Sequence, residues 1–545
     1  MVGASEVSPP EEVGLTISHG QRWIEVQLVG ESYGQEGFQR GVSVFPTIDD
    51  EVHIVTEDDL NTIYATPGIS MVDVGYHSAS ENLRALVDLD KVVTRHAAIV
   101  GSTGSGKSNT VAGFLKKLTK NNLPNSRVVV IDPHGEYSTA FQDCCRVFRI
   151  NDPDNPLYVP YWALSFDELM WFLVDRRTTS ESMQDSAIRS DIFKQKRDAC
   201  SGLKAGSLTS GEITVDSPVP FNIRKLWYDF YIKENATLME KDNWDKIAYK
   251  EDSDGNEIKG DLDTLTPPQF CPPGTGPIAP FKSPQQKGLG SYLNKIHGRL
   301  KDRRFDFLLS PGNYDGTISD LDDLLSNWID HDHAITILDL SGIPFEVIDL
   351  VVGVLTRILF EGMFWGRDLP GLGRQRPLLI VFEEAHTYLP RGGSSQFVTG
   401  YASNAVRRIF KEGRKYGVGS IVVSQRPSEL DETILSQCGT FFALRLSNSE
   451  DQGRVRSAIQ DTLAGLIDLL PALRTGEALI LGEAIQIPSR VRLPLIEPRP
   501  KSDDPEVSKR WAEDKVERSH YDEAITGWRR QHICSNAGSP EEVKK

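Results

Sequence analysis

Residues 101–108 read Gly101, Ser102, Thr103, Gly104, Ser105, Gly106, Lys107 and Ser108, the spacing G-x-x-x-x-G-K-S, and Asn109 opens a helix-like stretch to Leu118. The apolar run Ala97–Val100 precedes them. A buried strand, a glycine loop and a helix start form the context in which such a string cradles a triphosphate. Glycines let backbone N–H groups close on phosphate oxygens, the lysine reaches the β and γ phosphates, and the serine hydroxyl is a ligand for Mg²⁺. The loop therefore calls for ATP and Mg²⁺, with Gly101 to Asn109 as the binding segment and Ser108 as a metal ligand.

Hydrolysis needs carboxylates on the other side of the phosphates. Residues 377–386 read PLLIVFEEAH, an apolar strand ending in two glutamates. The C-terminal ends of parallel strands face the ligand crevice, and alternation turns Glu383 and Glu384 to different sides. We assign Glu383 to the Mg²⁺ shell and Glu384 to polarising the attacking water; capping the next helix is the competing use of either. The run Ser420–Ser424 ends in Gln425, an amide placed to orient water or sense the γ-phosphate, with turn capping as its alternative. Residues 404–416 (NAVRRIFKEGRKY) carry Arg407, Arg408 and Arg414. An arginine offered to a neighbouring subunit's site stabilises charge building on the transferring phosphate; a solvated basic helix is the alternative.

These residues need a parallel sheet to hold them. From His96 onward, strand-like runs (97–100, 127–132, 334–340, 378–382, 420–424, 440–446, 477–481) alternate with helix-like ones (347–363, 397–414), which implies an α/β fold whose sheet is covered on both faces. Before it, short β-like runs at 23–29, 42–45, 52–55 and 71–74 are separated by Gly, Pro and Asp and suggest a small β-barrel. Residues 152–330 break the rhythm: 166–176, 182–201 and 292–309 look helical, and 251–290 form a long loop rich in Asp, Gly, Pro and Ser. The expected division is a β domain over 1–90, an ATPase core over 91–151 and 331–495, a mainly helical insertion over 152–330, and a C-terminal extension over 496–545.

The chain has 545 residues, 39% hydrophobic and 25% charged, with a net charge of −17. The acidic balance argues against a protein that coats nucleic acid non-specifically but leaves room for a local basic channel. Six scattered cysteines form no C-x-x-C pair, which argues against a zinc site or disulfide framework. No run is long and apolar enough to span a bilayer, and the N-terminus lacks a signal-peptide pattern, so the expected location is the cytoplasm, without a membrane partner.

Together, HAAIVGSTGSGKSN (96–109), VVVIDPHGEYS (128–138), LLIVFEEAH (378–386), EGRKYGVGSIVVSQRPSELDETILSQC (412–438), RLSNSED (445–451) and LRTGEALILGEA (473–484) resemble the HerA family, within the HerA/FtsK group of hexameric DNA-translocating ATPases. The likeness covers the N-terminal β region and nearly all of the β–α core, and weakens over 152–330 and after about 500. It implies a RecA-like ATPase core with an N-terminal barrel, assembled as a homo-hexameric ring that takes ATP between subunits and double-stranded DNA through its pore. Glu383 and Glu384 match the family's Walker B strand end, Gln425 its sensor position, and Arg407 and Arg408 its arginine pair, with Arg414 in the next motif string. Family members work with a partner nuclease or a sirtuin-like NAD-cleaving effector, in DNA repair or in bacterial antiphage defence.

The chain shows no nuclease signature of its own, so cutting would fall to a partner. A translocating ring holds phosphate backbone rather than base edges. Lys295, Arg299, Lys301, Arg303 and Arg304 form the densest basic cluster, either a pore element or a paired or solvated face. Two functions follow: an ATP-hydrolysing double-stranded DNA translocase or helicase, or an ATP-binding ring scaffold that assembles and activates the effector.

Overall fold

The computed structural model describes residues 28–530 apart from 33–37, 48, 65–67, 79, 81, 121–122, 124, 143, 177–180, 207, 393–399, 460–463, 502–506 and 513–517. Two compact units divide the chain: 1–149, 328–341 and 356–505, and 150–327, 342–355 and 506–545.

The strands in chain order are β1 (Gly30–Ser32), β2 (Phe38–Arg40), β3 (Met71–His77), β4 (Arg84–Asp88), β5 (Ala97–Val100), β6 (Val128–Asp132), β7 (Cys145–Arg149), β8 (Thr237–Leu238), β9 (Phe281–Lys282), β10 (Ile335–Asp339), β11 (Leu378–Phe382), β12 (Val418–Ser424), β13 (Thr440–Leu444), β14 (Glu477–Gly482) and β15 (Ser489–Arg492). The first unit is built on a sheet ordered β4-β3-β15-β14-β13-β5-β12-β11-β6-β10-β7. From β13 to β7 all neighbours run parallel; β14, β15, β3 and β4 extend one edge antiparallel. This is the α/β fold with a mainly parallel sheet that the alternating pattern implies.

The central strands are buried along their whole length because AAIV, VVVID, ITILD and LLIVF have no polar face to offer water. The helix Lys107–Lys120 lays Val111, Ala112, Phe114, Leu115 and Leu118 into the same core as Ile99, Val130 and Val423; that spacing is one face of a helix. The loop after β5 thus sits at a sheet position whose neighbours β12 and β13 both come later in the chain, the kind of crossover where open α/β sheets bind ligands.

The region expected as the N-terminal domain differs in part. Met71–Val74 lies in β3, and β3 with β4 completes the edge of the large sheet. Residues 42–45 and 52–55 form no strand, and Val52 and Ile54 are almost fully exposed among the described residues. Residues 23–27 lie outside the described residues; β1 and β2 form a short antiparallel pair.

The second unit is largely helical over 166–174, 183–199, 223–235 and 290–301. Residues 251–290 are mostly loop with isolated bridges, and β9 within them pairs with β8. The helix expected over 292–309 breaks after Lys301, because the Asp302 carboxylate accepts the Arg304 N–H and starts a separate 3-10 turn over 303–305. Three of the five basic residues of this stretch are held within the unit. Lys295 donates to the Val174 carbonyl at 2.8 Å and pairs with Asp175, Arg299 pairs with Asp175 over the Phe172 and Phe305 rings, and Arg304 pairs with Asp302 and Glu346. Of the two possibilities for this cluster, the paired face is the one these three residues adopt.

Candidate nucleotide site

The loop from Gly101 to Ser108 turns with Gly104 and Gly106 in the left-handed region (φ +71° and +102°), a conformation that costs glycine little. A Cβ at Gly101 would stand 2.6 Å from Ser105 Oγ, so that position must be bare. The loop is braced by two segments of the resemblance. Ser102 N–H and Oγ donate to the Arg445 carbonyl at 2.9 and 3.0 Å, and Gly476 N–H donates to the Ser105 carbonyl at 3.0 Å. Lys107 is buried and rests its ammonium on the Ser102 carbonyl at 3.2 Å. Burial pulls its pKa down, against the Glu384, Glu383 and Glu136 carboxylates that push it up. Ser108 Oγ donates to Glu136 at 3.0 Å.

β11 ends at Phe382, and Glu383 and Glu384 follow, both buried, at 1% and 5% exposure. They do turn apart. Glu383 accepts from Tyr137 Oη at 2.8 Å, while its own carbonyl accepts from Tyr388 Oη. Burial pushes its pKa well above the carboxylate range, opposed by the tyrosine hydrogen bond and reinforced by Glu384, Asp132 and Glu136. Glu384 has φ +46°, strained for a non-glycine residue. Its Oε1 accepts from Gln425 Nε2; its Oε2 is buried without a hydrogen bond, 3.3 Å from His386 Nδ1. The Gln425 carbonyl oxygen accepts from Thr103 Oγ1. One amide at the end of β12 therefore ties the phosphate loop to the glutamate after β11.

Three participants were not singled out as site residues from the sequence. Asp132, at the end of β6, accepts the N–H groups of His134, Gly135 and Tyr137 at 3.2, 2.9 and 3.1 Å, shaping the turn that delivers Glu136 and Tyr137. Burial raises the Asp132 pKa to about 6. The signal was present in the string DPHGEY, but spacing alone does not say which of its side chains face the loop. Beyond β15, Asn109 holds the Pro494 carbonyl and the Ile496 N–H at 2.9 and 3.0 Å, Thr139 Oγ1 donates to the Arg499 carbonyl, and Lys501 N–H donates to the Glu136 carbonyl at 2.8 Å. Residues 494–501 thus strap the start of the loop's helix to the turn after β6.

The arginines lie on the helix Tyr401–Tyr416. Arg407 binds the buried Asp431 through Nε at 3.0 Å and through Nη2. Arg408 binds Glu361 and stacks over Phe360 and Phe364. Arg414 is exposed and has no ionic partner among the described residues. Among the described residues none of the three makes a hydrogen bond or ion pair to the loop, Glu383 or Glu384.

The cluster brings groups that suit an anion beside groups that suit a cation. Glu384, Glu383 and Glu136 bear on the charge of Lys107 and Asp132 on that of Glu383, the Glu384 Oε2 and Ser105 Oγ atoms are buried without hydrogen bonds, and Gly104 opens onto free space. Among the described residues no helix is long and apolar enough to cross a membrane.

Residues 72–359 match the family profile "Helicase HerA, central domain". The chain is 26% identical over 503 residues to "Probable DNA double-strand break repair helicase HerA" of Methanocaldococcus jannaschii, covering 86% of this chain and 84% of the relative. It is 26% identical over 513 residues to "DNA double-strand break repair helicase HerA" of Pyrococcus furiosus, covering 89% and 79%. Among solved structures, plasmid coupling protein TrwB in complex with an ATP analogue is 13% identical, with a TM-score of 0.46 over 84% of this chain and 96% of that one. With its phosphate loop and paired glutamates in place, the chain is an ATPase that belongs to the helicase HerA central-domain family.

Proposed function

We propose that this ATPase binds ATP with Mg²⁺ at the loop 101–109 and spends its hydrolysis on moving along or unwinding double-stranded DNA, as a homo-hexameric ring working with a nuclease or NAD-cleaving effector. The carrying observation is the convergence of Lys107, Ser108, Glu383, Glu384 and Gln425, from three separate strand ends, on one loop. The names of the relatives, DNA double-strand break repair helicases, supply the substrate class. Mg²⁺ bound with the nucleotide would supply the positive charge that Lys107, facing Glu384, Glu383 and Glu136, cannot supply alone.

In this reading Ser108 and Glu383 would hold the metal, and Lys107 would serve the terminal phosphates. Glu384 polarises the attacking water through the oxygen that has no hydrogen bond, its other oxygen held by Gln425. The Thr103–Gln425–Glu384 chain couples the loop's phosphate contacts to the base, which suits a sensor of nucleotide state. Arg407 and Arg408 are engaged within the chain, so the arginine best placed to serve a neighbouring subunit is Arg414.

The test is the steady-state ATPase rate of the purified chain with and without linear double-stranded DNA, alongside its mass in solution. A hexamer whose turnover rises strongly with DNA is expected. A hexamer with a low, DNA-indifferent rate would overturn the motor reading in favour of a scaffold for an effector.

A further inference from the structure

Glu136 is neither on the strand that carries the glutamate pair nor in the phosphate loop, yet its carboxylate is the partner of the loop's last side chain. Ser108 Oγ donates to Glu136 Oε2 at 3.0 Å. The placement is built. Asp132 pins the residues on either side of Glu136 through the Gly135 and Tyr137 N–H groups. Gly135 is left-handed (φ +70°), and a Cβ there would stand 3.0 Å from the Asp339 carboxylate, so the turn is pressed against β10. From the other side, the strap holds the Glu136 carbonyl through Lys501 N–H. The carboxylate bears on the charges of Lys107 and Glu383, both at the heart of the proposed site.

A serine at this point of a phosphate loop must free its hydroxyl oxygen for the metal. Here that hydroxyl is already held by a negative charge. A metal-free triphosphate arriving at the loop would meet this carboxylate as a like charge, whereas the same triphosphate carrying a divalent cation would meet it as an opposite one. We propose that Glu136 is a positioning residue that makes nucleotide binding conditional on the divalent cation: it orients the Ser108 hydroxyl while no metal is bound and repels nucleotide that arrives without one. This rests on the loop being the nucleotide site.

The test uses the full chain and a fluorescent ATP analogue, titrated in Mg²⁺ and separately in EDTA, for wild type, Glu136→Gln, Glu136→Ala and Lys107→Ala. Glu136→Gln keeps an acceptor for Ser108 and loses only the charge. It is expected to bind the metal-free analogue on the order of tenfold tighter than wild type, the size of one like-charge repulsion in a partly exposed site, while its affinity in Mg²⁺ stays level or falls. The ratio of the two dissociation constants then contracts about tenfold in both Glu136 variants. An unchanged ratio, whether both affinities hold or both fall together, overturns the proposal, because a residue that only supports the fold weakens both states alike. If wild type binds and Lys107→Ala does not, yet the ratio is unchanged, Glu136 alone is wrong; if wild type binds in neither condition, the site reading falls with it.

Discussion

Arg407→Ala separates a structural arginine from a catalytic one. In the structure Arg407 holds Asp431 through Nε at 3.0 Å and through Nη2, and the Asp431 side chain is 3% exposed. The other Asp431 oxygen caps the helix Glu432–Ser436 by accepting the Ile434 N–H at 3.1 Å. Without the guanidinium, a buried carboxylate is left with one backbone donor. Removing one partner of a fully buried pair costs about 3–5 kcal/mol. Arg407 itself is 35% exposed, so water reaches the stranded carboxylate, and about 2 kcal/mol is the expected loss. Arg408→Ala, whose partner Glu361 is 28% exposed, should lose about 1 kcal/mol or less. The assay is urea unfolding of nucleotide-free protein, read as a midpoint shift at constant slope, with Asp431→Asn and the double variant closing a cycle. The double variant should cost little more than the worse single one. If Arg407→Ala unfolds at the wild-type midpoint while losing ATP turnover, the ion pair is incidental and the reasoning fails.

Three further outcomes are expected. Tyr137→Phe removes the donor to Glu383 at a site where the tyrosine is fully buried, and should cost about 1.5–3 kcal/mol, seen as a lower thermal midpoint; an unchanged midpoint contradicts it. Asp132 has its pKa raised to about 6 by burial, so its contribution to stability is fully present below the ordinary aspartate range and is lost as pH rises through about 6. Asp132→Asn should therefore flatten the stability curve between about pH 4 and 6, and a curve as steep as wild type in that window contradicts it. Arg414→Ala should leave stability within about 0.5 kcal/mol while lowering turnover, and mixing it with Lys107→Ala subunits should restore hydrolysis if Arg414 acts in trans; an unrestored mixture refutes that role.

What was legible in the sequence is what short-range pattern encodes. The phosphate loop, the buried strands and the position of Glu383, Glu384 and Gln425 at strand ends follow from spacing and apolar runs, because a strand's end in a parallel sheet is also the ligand's edge. The partners of those residues were not legible. Tyr137 meets Glu383 and Ser108 meets Glu136 only after the sheet order sets β6 between β11 and β10. Arg407 looked free in a cation-rich string because its carboxylate, Asp431, lies beyond β12. Lys295 and Arg299 looked like a basic stripe because Asp175, the left-handed end of a distant helix, is invisible to helical spacing. The antiparallel edge of β14, β15, β3 and β4 also escaped, since two of its strands come from the segment expected to form a separate domain.

In the proposed mechanism Glu384 acts on water at a nucleotide held by Lys107 and Ser108. The most direct measurement pairs nucleotide binding with hydrolysis for Glu384→Gln. Binding of ATP in Mg²⁺ should persist, and turnover should fall by roughly 10²-fold or more. Loss of binding would assign Glu384 to the metal and exchange the roles of the two glutamates; turnover near wild type would contradict the claim outright.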